Sequence, residues 1–190
     1  VLGPIFGVGL LCIGKAGSYV KKLVAVIRTT RTETGAVPDG HCAISATVTH
    51  DDPPSAPITG RSAVAWEWEF YSNDPIYAFN WIYWARHDQG PGGVPFTLKD
   101  GSGEVRVDPT TADLNLAKRG MIECDPDTPP GRASELTDLD VRGDQFRFVE
   151  RVLRPGKQVT VIGQSKDGSF TPEMVTEGGR WAPHAMCGYR

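Results

Sequence analysis

VPFTLKDGSGEVRVD, residues 94–108, decides the fold class. Two short apolar runs, VPFTL (94–98) and EVRVD (104–108), flank KDGSG. Asp-Gly and Ser-Gly supply the positive φ that a tight turn needs, so the stretch reads as a β-hairpin. Gly101 and Gly103 allow the turn, and the Asp100 side chain can cap its amides. Pro95 fits a strand entry, where no ladder donor is lost.

The chain on either side reads the same way. AVAWEWEFYS (63–72) alternates strictly, with Val64, Trp66, Trp68 and Phe70 on one face and Glu67 and Glu69 on the other. That is a half-buried strand. HCAISATVTH (41–50), the aromatic YAFNWIYWARHD (77–88), MIEC (121–124), FRFVERVL (146–153) and QVTVIGQ (158–164) add further strands. DDPPSAP, QGPGG and RPGK read as turns, and residues 125–145 as a long Pro-rich loop. Residues 169–190 show weak patterning. The expected fold is mainly β, a small OB-like barrel or sandwich of about seven strands, preceded by an N-terminal helix.

Composition agrees. With 190 residues, 22 Gly and 15 Pro favour short strands and turns over long helices. A net charge of -3 argues against a nucleic-acid surface, which carries a basic excess. Cys12, Cys42, Cys124 and Cys187 form no C-x-x-C pair; free thiols are expected, with a Cys42–Cys124 bridge the alternative.

The first 14 residues, VLGPIFGVGLLCIG, carry no charge. A bilayer span needs about 20 apolar residues, so they read as part of one, and membrane lipid is the expected partner of this segment. Lys15, Lys21, Lys22, Arg28 and Arg31 follow, a basic flank that favours the cytoplasmic side. The organisation is then a partial span (1–14), a basic juxtamembrane helix and linker (15–35), a β domain (36–168) and a tail (169–190).

Catalytic constellations are weak. His41 and Cys42 are adjacent on a strand and so face opposite ways, which makes them poor nucleophile–base partners. His41, His50, Asp51 and Asp52 lack the spacing of a zinc site. The Gly-rich run 90–103 has no Gly-Lys-Ser/Thr and makes no phosphate loop. Glu67 and Glu69 lie about 7 Å apart by strand geometry, a glycosidase-like separation, but alternating acids more often mark a solvated face. The aromatics at Trp66, Trp68, Phe70, Tyr71, Tyr77, Phe79, Trp81, Tyr83 and Trp84 lack the basic groove of a single-strand binder and read as core packing plus a membrane-facing or partner-facing patch.

Four segments in order resemble a known family. PDGHCAISATV, APITGRSAVAWEWEF, VPFTLKDGSGEVRVDPTTADL and ERVLRPGKQVTVIGQ are similar to the domain found beside the membrane in ubiquitin ligases of the MULAN/GIDE type and in prokaryotic relatives. The resemblance spans residues 35–164. It marks Pro95, Phe96, Asp100, Gly103, Val107, Glu150, Pro155, Gly156 and Gly163 as motif residues, structural or interacting. Ligase activity in the eukaryotic members resides in a zinc-binding RING; these residues hold no paired C-x-x-C, and His184 stands apart. The resemblance implies a membrane-anchored binding or scaffold domain with an unidentified protein partner, no cofactor, no metal and no nucleic acid. A hydrolase using Cys42 or Glu150 and a single-strand-binding barrel are the alternatives. Glu150 shares an apolar face with Phe146, Phe148 and Val152, so it needs a partner; Arg106 or Arg147 is expected.

Overall fold

The computed structural model describes residues 30–76 and 81–178. The strictly alternating stretches become a four-stranded antiparallel sheet. β3 (Ala65–Ile76) and β9 (Phe146–Leu153) form its centre, with β4 (Trp81–Gly93) beside β3 and β8 (Lys118–Cys124) beside β9. Trp66, Trp68 and Phe70 stand opposite Val152, Glu150 and Phe148, so one face is aromatic.

QGPGG is strand, not turn. Gly92 lies opposite Trp66 and Gly90 opposite Trp68. A Cβ at Gly92 would come within 2.4 Å of Trp66 Nε1. The glycines leave the space that the indoles occupy, so here Gly marks close packing within a strand.

The second sheet has the order β6 (Glu104–Val107), β5 (Phe96–Lys99), β2 (Gly40–Thr49), β10 (Gln158–Lys166), β11 (Ser169–Glu177), β7 (Asp113–Asn115). β1 (Thr30–Thr32) adds to β2 in parallel. Residues read as linker and tail therefore supply β1 and β11. The strand expected at 41–50 forms as β2, and Cys42, Ile44, Ala46 and Val48 alternate inward along it. The expected hairpin is β5–β6, with Phe96 opposite Val107 and both buried.

The mainly-β expectation holds, but the barrel does not form. The seven-stranded sheet brings β11 close to β6, yet no backbone ladder joins them among the described residues. The four-stranded sheet contributes to the same core. Val64, Ala65 and Leu153 pack with Ile44, Leu98 and Val161 in one apolar cluster.

The aromatic face of the smaller sheet has its own cover. The loop 125–145 carries a single short helix, α1 (Ala133–Leu136), and lies with Ile58 over Trp68, Phe70, Phe146 and Phe148. Phe70 stacks on Phe148 at 4.9 Å and meets Phe146 edge-on at 5.0 Å.

Cys42 and Cys124 are free thiols, so the bridge between them is absent. The N-terminal apolar segment, the basic helix, Cys12, Cys187 and the end of the tail lie outside the described residues. Among the described residues no helix is long and apolar enough to cross a membrane.

Phe148 has no exposed surface. Phe148→Ala should cost about 3–5 kcal/mol in unfolding free energy, read as a lower urea midpoint at unchanged slope.

Candidate functional site

Among the described residues Glu150 is the most deeply buried acid, only 1% exposed. Its partner is not an arginine. Oε1 accepts from the Ile58 amide at 2.9 Å and Oε2 from the Thr59 amide at 2.9 Å, with the Thr59 hydroxyl also donating to Oε2. Arg147 is engaged elsewhere, donating to Glu123 through Nε and Nη2 and lying 3.7 Å over the Trp84 ring. Backbone donors were invisible in the sequence because they belong to a turn 91 residues away. Glu150 thus binds the turn 56–60 and has no free oxygen aimed at solvent.

The hairpin residues are also structural. Asp100 accepts from the Ser102 amide and hydroxyl at 2.7 and 2.6 Å and from the Gly103 amide at 3.3 Å. It also accepts from the Thr34 hydroxyl at 2.6 Å and amide at 3.0 Å. The Ser102 bonds first, then those of Thr34, hold its carboxyl well below the usual carboxylate range. A Cβ at Gly103 would lie 2.8 Å from Gly35 Cα, so the hairpin tip docks on the segment before β2. Gly156, at φ 81°, donates its amide to Val48 and seats the Pro155 turn on β2. Gly163 sits at a register shift, with Thr171 O 2.2 Å from where its Cβ would be.

The remaining expectations are not brought together. Cys42 is fully buried, burial pushes its thiol pKa up, and His41 instead lies 3.6 Å from Glu173, both side chains about half exposed. That separates the proposed nucleophile from its base. His50 lies at the far end of β2 from His41, and among the described residues no His, Cys, Asp and Glu cluster could hold a metal. Ser72 Oγ is 2.7 Å from His87 Nε2, but Ser72 is buried and donates to Arg142 O, latching the covering loop.

Among the concave polar sites on the described residues, one holds Glu67 and Glu69. The two sheets meet over Ala65 and Leu153 and separate further along β3. The separation leaves a cleft of about 580 Å³. Glu67, Glu69 and Arg151 line one wall, and Ala112, Asp113 and Leu114 the other, with Arg86, Gln89 and Pro91 at the β4 side. Glu69 is not solvated as expected: it is only 7% exposed.

Both Glu69 oxygens are taken. Arg151 Nη1 donates to Oε1 at 2.9 Å and the Tyr71 hydroxyl to Oε2 at 2.8 Å. Glu67 Oε2 lies 3.9 Å from Arg151 Nη1, beyond hydrogen-bond reach. Burial would raise both acids. At Glu69 the Tyr71 and Arg151 bonds outweigh it and hold the carboxyl below its ordinary range. At Glu67 burial dominates; Arg151 opposes it, and the Glu69 and Asp113 carboxylates reinforce it, so the carboxyl is pushed up. Arg86 Nη1 donates to Gln89 Oε1 at 2.9 Å. Spacing in the sequence does not show Arg151 or Asp113 beside Glu67: strand pairing places Arg151 opposite it, and packing of the other sheet brings Asp113.

Residues 84–176 match the family model GIDE, described as E3 ubiquitin ligase. That stretch, just under half of the chain, is similar to the GIDE domain. The match runs from within β4 to the end of β11 and so includes the hairpin, Glu150, Arg151 and the far wall of the cleft. Glu67 and Glu69 lie on β3, before it. No curated protein and no solved structure matches the chain.

Two variants separate clamp from cleft. Glu150→Ala strands the buried Ile58 and Thr59 donors and should cost about 3–5 kcal/mol in urea unfolding. Glu67→Gln should do the opposite near neutrality. A carboxyl whose folded pKa is raised gives its full stability below its unfolded value, about 4.3, and loses it as pH rises through the folded value. Glu67→Gln should therefore have a higher urea midpoint than wild type at pH 7, with the gap closing at about pH 3.5.

Proposed function

We propose that the chain is a protein-binding scaffold domain held at a membrane, related to GIDE-type ubiquitin ligases. The observation that supports this best is the GIDE match over 84–176, combined with the structural employment of the residues named as catalytic candidates. Glu150 and Cys42 are both inaccessible, which disfavours a hydrolase built on them. Trp68 and Phe70 are buried in the covered core, which disfavours a stacking platform for single strands. What stays exposed suits a partner surface: a mixed-charge cleft between sheets, next to Arg86 and Gln89. The apolar segment 1–14 and its basic flank supply the membrane contact.

Expression of the 190-residue chain in cells, followed by carbonate extraction and in-cell crosslinking, tests this. The expected result is retention in the membrane pellet and a discrete crosslinked complex. A chain released wholly by carbonate, running as an uncrosslinked monomer, would contradict it.

A further inference from the structure

We propose that the seam between β6 and β11 binds an extended peptide segment of the partner protein, which adds to β6 as a strand. This deepens the protein-binding reading and rests on it.

Both edges of the seam carry backbone groups outside any ladder. In the β5–β6 hairpin the Asp100 amide donates to Gly103 O, so alternation makes Leu98–Val105 and Phe96–Val107 the hydrogen-bonded pairs. Glu104 and Arg106 therefore turn their N–H and C=O outward. β10 and β11 join through a two-residue turn at Asp167 and Gly168, both at positive φ. Lys166–Ser169 and Gln164–Thr171 are then the bonded pairs, and Phe170 between them turns its N–H and C=O away from β10. Among the described residues no backbone bond crosses from Glu104 or Arg106 to Phe170.

A cavity of about 530 Å³ lies along this seam, with Glu104, Val105 and Arg106 on one side and Gly168, Ser169 and Phe170 on the other. Its floor is the rim of the shared core. Val37, Val105 and Phe170 pack against that core and are only partly buried. Ser165 lines the cavity from β10, on the face that Val159 and Val161 turn to the core. It is 3% exposed, and its hydroxyl bonds no side chain or backbone group among the described residues. The cavity thus has an apolar floor with one hydroxyl ready to donate or accept.

These features select a strand. Outward N–H and C=O groups at alternate residues match an extended backbone, whereas a helix has already bonded its own. A residue that faces inward beside Val105 lays its side chain on the apolar floor. Charge selects the residues that face outward. Glu104 is exposed and forms no ion pair among the described residues, Lys99 opposite it included. Arg106 already acts on Asp108. The occupant is an alternating apolar and basic segment, with Lys or Arg beside Glu104.

The test is amide hydrogen exchange of the full chain, kept soluble in neutral detergent, with the peptide acetyl-Lys-Val-Lys-Val-Lys-amide. Its fully N-methylated form and the analogue acetyl-Glu-Val-Glu-Val-Glu-amide are run in parallel. At saturation the amides of Glu104 and Arg106 should exchange at least about tenfold more slowly, while those of Val105 and Val107, bonded within the hairpin, change little. The N-methylated peptide should protect neither amide. The acidic peptide should bind at least about threefold more weakly, and Glu104→Lys should reverse that preference while its spectrum stays dispersed. Equal binding of the acidic peptide, protection by the N-methylated one, or protection confined to other strands would overturn the proposal. Protection of Glu104 and Arg106 that rises with protein concentration alone would overturn it in favour of a second copy. No peptide binding, with a membrane complex that crosslinks equally in Glu104→Lys, would remove the seam and leave the scaffold reading. Peptide binding as expected, with no crosslinked complex, would uphold the seam and remove the scaffold reading instead.

Discussion

The grip of the Glu150 carboxylate on two backbone amides is the constraint on which the covered half of the molecule depends. A buried carboxylate is tolerated when hydrogen bonds replace its hydration, and Ile58 and Thr59 provide them. The turn that carries those amides is itself an anchor. Pro57 O accepts from the Arg132 amide at 2.8 Å, and Gly131 approaches it so closely that a Cβ would lie 2.3 Å away. Arg132 leads directly into α1, whose Ala133 closes over the aromatic cluster with Ile58. Strand, turn, loop and cover are thus connected through one acid. Asn73 Oδ1, accepting from the Asp144 and Gln145 amides, fastens the other end of the same loop.

The opposite face of the same strands shows what happens where apolar contact stops. Ala65 and Leu153 join the core shared by both sheets, while Glu67, Glu69 and Arg151, one step further along, line a cleft. Side chains two residues apart on β3 therefore go from core to cleft without any change in backbone geometry. Register sets the electrostatics: Glu67 stands opposite Arg151, and the same arginine bonds diagonally to Glu69. Arg151 holds Glu69 by a hydrogen bond and Glu67 at the longer distance of an ion pair. That asymmetry gives the cleft its chemical character.

Local pattern was legible in the residues. Alternation at 63–72 and 146–153, the β-rich run 158–164 and the Gly-rich turn at 99–103 each became the element expected, and the GIDE resemblance was readable from the hairpin outward. Glycine at 90 and 92 misled, because a glycine that admits an indole looks, in sequence, like a glycine that admits a turn. β1 and β11 were missed: β1 is three residues long, and the Pro172 stretch of β11 does not alternate cleanly. An open sheet could not be told from a barrel, since closure depends on whether β6 and β11 pair across more than sixty residues. Glu150, an acid on an apolar face, visibly needs a partner, but that partner is a pair of backbone amides, which carry no sequence signature. The cleft was half legible: its acids alternate visibly, while Arg151 reaches them through strand pairing and Asp113 through packing of the other sheet.

Native-state hydrogen exchange tests the central claim most directly, through the amides of Ile58, Thr59 and Arg132. If Glu150 organises the covered half, these three turn amides exchange only with opening free energies near those of the β9 core amides. In Glu150→Gln their protection then falls together while β2 and β10 keep theirs. Free exchange of Ile58 and Thr59 in the wild-type chain, with β9 still protected, would contradict the account.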